Sequence, residues 1–126
     1  MSEKYSKIIG KKILGIDLSD GAQEIRIRTD AGIFFGKVYG DCCSRSWVEH
    51  LEIPEDVIGS TVIFMEDSDA ISSDHPEHDG KCPEHIEVYN TKISTFGGII
   101  VIEYRNSSNG FYGGWLELIG PEEVSL

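Results

Sequence analysis

The sequence predicts an α+β domain, mainly antiparallel β, with two meanders of about six to seven strands and one or two short helices. Three observations carry that prediction. A strict period-two alternation runs from Glu24 to Thr29. Paired Asp–Gly and Gly–Gly signals punctuate short apolar runs. A single capping-box pattern, Ser46-Trp47-Val48-Glu49, interrupts them.

In residues 24–29, Ile25, Ile27 and Thr29 share one side and Glu24, Arg26 and Arg28 the other. That is the pattern of a strand with one buried face. Asp20-Gly21 before it and Asp30-Ala31-Gly32 after it supply the positive φ of tight turns. Residues 13–18 and 33–39 become the flanking strands of a first meander.

Beyond them, the Ser46 oxygen and Glu49 carboxylate are spaced to satisfy free amides of a first helical turn. The spacing predicts a short helix over residues 46–51 that buries Trp47, Val48 and Leu51. Pro54-Glu55-Asp56 followed by Gly59 reads as a second helical turn, with Pro at its start, acids at its positive end and Gly as its stop. Residues 61–65 form an apolar run suited to a central strand. Residues 66–84 are polar and aperiodic, which predicts one long loop. Residues 86–95, 99–105 and 115–119 then read as a second antiparallel meander, and Pro121 as the end of ordered structure.

The 126 residues, 40% hydrophobic and 26% charged, suit one domain, with an ordered core over about residues 8–120 and an acidic polar loop over about residues 66–85. The longest uninterrupted apolar run, Ile99-Ile100-Val101-Ile102, is too short to cross a bilayer. No apolar stretch follows the N-terminal lysines, so no signal peptide is read. Three cysteines without an export signal suggest reduced thiols, and a cytosolic protein is expected.

The net charge of −11 is unevenly placed. Residues 1–40 carry seven Lys/Arg against five Asp/Glu, and residues 88–126 carry two against four. Residues 41–87 carry thirteen acids against two bases, so the whole excess lies there. Such a field repels nucleic acid and favours cationic surfaces, including the nucleic-acid grooves of other proteins. Glu66, Asp67, Asp69, Asp74, Glu77 and Asp79 are the candidate acidic partner surface.

Three groups of residues have parts for chemistry. His75, His78, Cys82 and His85 offer borderline and soft donors at spacings that let a loop wrap Zn²⁺, though structural zinc sites more often use paired C-x-x-C units. The competing reading is a hydrophilic loop of solvated histidines, and the expectation is no cofactor, with zinc as the alternative. Cys43 beside the expected helix start could form a thiolate with His50 as its base, but Asp41 opposes ionisation, and small buried cysteines are far commoner. Residues 105–115 are richer than a turn requires. Arg105, Asn106, Asn109, Phe111, Tyr112 and Trp115, with Cys43 and Trp47, supply a cation, planar amides and stacking faces for a nucleotide-like ligand or an interface hot spot. Against this, Phe111 and Trp115 could pack into the core and the amides could satisfy the turn. No catalytic residues are assigned. The sequence lacks a phosphate-binding Gly loop and the common nucleophile and zinc-protease motifs.

Two segments, Gly40-Asp41-Cys42-Cys43-Ser44-Arg45-Ser46-Trp47 and Arg105-Asn106-Ser107-Ser108-Asn109-Gly110-Phe111-Tyr112-Gly113-Gly114-Trp115, together resemble a family of small proteins of unknown function from bacteriophages and prophages. The resemblance implies a phage accessory protein in the host cytosol and brings no catalytic residues. The expectation is therefore a non-catalytic binding protein that inhibits bacterial antiviral defence. It would do so by seating its acidic middle in a defence complex such as a CRISPR effector, or by sequestering a nucleotide signal at residues 105–115, where a homodimer interface could also form. Direct nucleic-acid or membrane binding is not expected. The alternatives are a zinc-stabilised interaction module and a small cysteine-dependent enzyme.

Overall fold

The computed structural model describes residues 3–40, 45–68, 71–75, 84–108 and 114–122. They form two antiparallel sheets around one core. The first sheet contains β1 (Ile13–Leu18), β2 (Glu24–Thr29), β3 (Gly32–Gly40) and β9 (Gly114–Glu122), in the order β1-β2-β3-β9. The second contains β4 (Arg45–Glu52), β5 (Val62–Asp67), β6 (Ile71–His75), β7 (Glu84–Thr95) and β8 (Gly98–Ser108). Its order is β4-β8-β7-β5, and β6 also pairs with β7.

The alternation in β2 does what period two requires. Ile25 and Ile27 are fully buried, and Thr29 nearly so. From the facing sheet come Val48, Val62, Met65, Ile93, Ile100, Ile102 and Tyr104, and Phe34, Val38 and Leu116 complete the centre. Tyr5 and Ile8, from the 3-10 turn Glu3–Ile8, close one end of the same core. Removing this much apolar surface from water is what opposes the chain entropy of the nine described strands.

Two of the hairpins are closed by the same device. At Thr29–Gly32 the Thr hydroxyl donates to the Gly32 carbonyl at 2.7 Å and accepts from the Ala31 amide at 3.1 Å. At Thr95–Gly98 the Thr hydroxyl donates to the Gly98 carbonyl at 2.8 Å and accepts from the Gly97 amide at 3.1 Å. Gly32 and Gly98 have φ of 125° and 145°, open to glycine and strained for other residues.

The sheets are stitched at one corner by the Lys12–Thr61 bridge and by the Ile13 amide donating to the Ser60 carbonyl at 2.9 Å. At the opposite corner β3 hands over to β4. There the Ser46 hydroxyl donates to the Tyr39 carbonyl at 2.8 Å, and Gln23 Nε2 donates to the Ser46 carbonyl at 3.3 Å.

The first meander matches the sequence expectation strand for strand. Several other expectations are corrected. Residues 46–51 are strand, not helix: Ser46 and Val48 point into the core while Trp47 lies on the outer side. The Ser46 hydroxyl is spent on a neighbouring strand rather than on capping, and the β-branched and aromatic residues there suit a pleated surface. Among the described residues the helical elements are all 3-10 turns, so the protein is β-rich rather than α+β. The expected turn after Pro54 is one of them, Glu55–Val57, with Gly59 at φ 89° after it.

The apolar run at residues 61–65 does form β5, but at the margin of its sheet and not at the centre. Val62 and Met65 are buried there while Ile63 is exposed, across a register shift. The long polar segment contains β6, paired along β7 from Ile71↔Val88 to His75↔Glu84. The second meander does not exist as such. β7 and β8 pair with each other, but β9 leaves them for β3, and it continues past Pro121 to Glu122.

Candidate functional site

Both segments singled out in the sequence meet at one corner of the fold. Arg45, Ser46 and Trp47 of β4 pair with Ser107, Asn106 and Arg105 of β8. Tyr39 and Gly40 of β3 pair with Trp115 and Gly114 of β9. Between the two sheets Asn106, fully buried, donates Nδ2 to Ser46 Oγ at 2.9 Å. Gly114 passes so close that a Cβ there would lie 2.5 Å from Ser46 Oγ and 3.0 Å from the Tyr39 carbonyl oxygen. Its amide donates to the Tyr89 hydroxyl at 3.1 Å. Small size at Gly114 is what lets the two sheets touch.

Outside this buried junction lies an open groove of about 520 Å³, lined by residues that include Ser19, Gln23, Glu24, Lys37, Tyr39, Arg45 and Ser46. A second hollow of about 430 Å³ adjoins it at Ala22 and Trp47 and shares Gln23, Arg45 and Ser46. The 3-10 turn Asp20–Ala22 makes one wall, with Ala22 at φ 55°. Arg45 lies over the Trp47 ring, 5.0 Å from its centroid, and Lys37 pairs with Glu24 at 3.5 Å.

The residues proposed to bind a ligand are thus dispersed. Trp47 and Arg105 are neighbours on the outer side of the second sheet, where Trp47 Nε1 donates to Glu49 Oε1 at 2.8 Å and Arg105 Nη2 to Glu103 Oε2 at 3.1 Å. Arg105 Nε is buried and has no hydrogen-bond partner among the described residues. Asn106 faces the opposite way, into the core. Trp115 stands on the outer side of the first sheet, stacked on Tyr39 with ring centroids 5.7 Å apart. Asn109, Phe111, Tyr112 and Cys43 lie outside the described residues. His50, once considered a base for Cys43, is exposed on β4 opposite Glu103.

Of the acidic residues, Glu66 is exposed on β5. Asp67 is a structural anchor as well as a charge: Oδ1 accepts from the Tyr5 and Thr91 hydroxyls, each at 2.6 Å, and Oδ2 meets Lys4 Nζ at 3.3 Å. Burial first, and then Asp67, pushes the Tyr5 and Tyr104 phenols well above the ordinary tyrosine range. Asp74 lies on β6 opposite His85, while Asp69, Glu77 and Asp79 fall outside the described residues. His75 pairs with Glu84 one rung from His85, and His78 and Cys82 are again outside. Among the described residues no three His, Cys, Asp or Glu gather to hold a metal ion. Nor is any helix there long and apolar enough to cross a membrane.

Residues 6–118 match a family described as a domain of unknown function, DUF7448. The chain belongs to this family. The matched span runs from the 3-10 turn that carries Tyr5 and Ile8 into β9, so it takes in both sheets and the groove between them. No curated protein and no solved structure matches the chain.

The groove was missed in the sequence because Arg45-Ser46-Trp47 read as a helix start. No local signal marked that segment as strand, since polar Ser46 is buried while Trp47 is only half-buried, the reverse of what their hydropathy suggests.

Proposed function

We propose that this protein is a non-catalytic binding module that occupies a cationic groove on a protein partner, in the manner of a phage accessory protein blocking the nucleic-acid channel of a bacterial defence complex. One observation carries the reading. Residues 66–87 hold eight acids and one base, and the described strands that begin in that stretch or run into it, β5 and β6, both lie along β7. Such a local density of acids attracts a cationic surface more strongly than the same net charge spread over the whole chain, and a nucleic-acid channel is such a surface.

The test is binding to purified defence complexes at rising salt, with and without nucleic acid already loaded. The expected result is affinity that falls steeply with salt and is lost when the channel is filled. Binding that ignores both salt and loaded nucleic acid would sink the reading. The combined variant Glu66→Gln/Glu84→Gln should weaken binding while leaving the Asp67 anchor intact. Sequestration of a nucleotide by residues 105–115 would require Arg105 and Trp115 to act from the outer sides of different sheets.

A further inference from the structure

We propose that the groove between the Asp20–Ala22 turn and the β3–β4 corner is a binding site for a small phosphomonoester, with its phosphate held by Arg45. The site is independent of the acidic margin, which lies on other strands.

The volume argues first. A hollow of about 520 Å³ joined to one of about 430 Å³ falls in the range of small-molecule sites. Charge argues second. In a chain of net −11, the described lining of the groove holds Arg45, Lys37 and Glu24; Lys37 pairs with Glu24 at 3.5 Å, which leaves Arg45 as the cation in excess. Arg28 and Arg105 each lie beside a carboxylate, Asp17 at 3.7 Å and Glu103 at 3.1 Å. Arg45 instead rests on the Trp47 ring, with no carboxylate partner among the described residues. The aromatic ring orients the guanidinium while leaving its planar fork of donors open, the arrangement that suits two oxygens of one phosphate.

The wall argues third. Ala22 is the one non-glycine residue at positive φ among the described residues, and it lines the adjoining hollow. A left-handed alanine persists only where its surroundings fix it. Here the turn is tied to both sides of the groove: the Gln23 carbonyl accepts from the Val38 amide at 3.0 Å, and Gln23 Nε2 donates to the Ser46 carbonyl at 3.3 Å. The groove is therefore held open before any ligand arrives, and the cost of ordering it falls on folding rather than on binding.

Two-dimensional amide NMR of the isotope-labelled full chain tests the proposal, with adenosine monophosphate, adenosine, inorganic phosphate and succinate as probes. Adenosine monophosphate should shift the Ser19, Gln23 and Ser46 amides saturably, and adenosine should not. Arg45→Gln should weaken the response by roughly tenfold or more, as loss of a charge-assisted contact implies, and Arg28→Gln should not. Equal saturation by inorganic phosphate would assign the site to the free anion, which supports the phosphate contacts. Succinate acting as strongly as the phosphates would overturn the ligand class. Absence of saturable shifts at about 10 mM probe, in a protein whose spectrum remains dispersed, would overturn the site itself. Because none of these readouts involves β5 or β6, failure here is distinct from failure of the acidic-surface reading.

Discussion

Asn106 on β8 and Ser46 on β4 meet side chain to side chain at 2.9 Å inside the protein, although 60 residues of chain separate them. Ser46 passes the contact on to the Tyr39 carbonyl at 2.8 Å, so a short polar relay ties the second sheet to the first. A fully buried amide needs its partners, and a truncation leaves one of them desolvated without compensation.

Each of Asn106→Ala and Ser46→Ala is therefore expected to destabilise the protein by about 2 kcal/mol in urea unfolding. The double variant should cost less than the sum by about 1 kcal/mol. Strict additivity would mean that the two side chains do not act as a pair.

Gly114 supplies a sharper steric test. Gly114→Ala brings a methyl against Ser46 Oγ and the Tyr39 carbonyl, and a loss of about 2 kcal/mol or more is expected. Gly36→Ala on β3 is the matched comparison, since its Cβ would meet only Leu116 and Ile25 at 3.9–4.0 Å. That variant should be neutral or slightly stabilising, because alanine restricts the unfolded chain. Equal melting temperatures for the two variants would refute the close approach at Gly114.

The turn beside the groove stores a small strain that can be released. Ala22→Gly removes the clash of a side chain at φ 55° and should raise stability by about 0.5–1 kcal/mol, read as a higher denaturation midpoint. A fall in stability would show that Ala22 makes packing contacts worth more than its strain.

Alkaline pH should expose the phenols around Asp67. Tyrosines of the unfolded chain ionise at about pH 10, whereas burial and the Asp67 carboxylate hold Tyr5 and Tyr104 protonated to higher pH. A raised folded value means stability fully present below pH about 10 and lost as pH climbs past it towards the folded values. The melting temperature should therefore decline above pH about 10, with Tyr5 and Tyr104 adding their tyrosinate absorbance at the unfolding transition instead of before it. In Tyr5→Phe the alkaline decline should be shallower, and neutral stability lower by about 1 kcal/mol through the lost bond to Asp67.

What could be read from the sequence was what local spacing controls. β2 announced itself through Ile25 and Ile27, and its turns through Asp and Gly, because a strand with one wet face and a tight turn are both short-range facts. β4 misled because Ser46 and Glu49 have capping-box spacing. What makes Ser46 a strand residue is Tyr39 and Asn106, neither of them sequence neighbours. The destination of β9 was equally hidden. Residues 115–119 read as the next strand of a second meander, whereas Gly114 is small so that one sheet can lie against the other. The groove followed the same logic: Gln23 and Arg45 line one hollow only once strands distant in sequence fold together, and the acidic stretch was legible because charge density needs no partner to be counted.

The position of β9 also bears on how the chain assembles. β2 with β3, and β7 with β8, can each close around its own Thr–Gly turn with little chain in between. β3 cannot complete its second rung until a strand more than seventy residues downstream arrives, since Tyr39 waits for Trp115 and Gly40 for Gly114. Ribosomes deliver that strand after all the others described, so every growing copy spends most of its synthesis with one flank of β3 bare. Pairings over such sequence distances are slow to close, and the last step of folding becomes the docking of β9. The Tyr39–Trp115 stack sits at that final contact, which makes Trp115 fluorescence a natural clock for the moment the protein becomes whole.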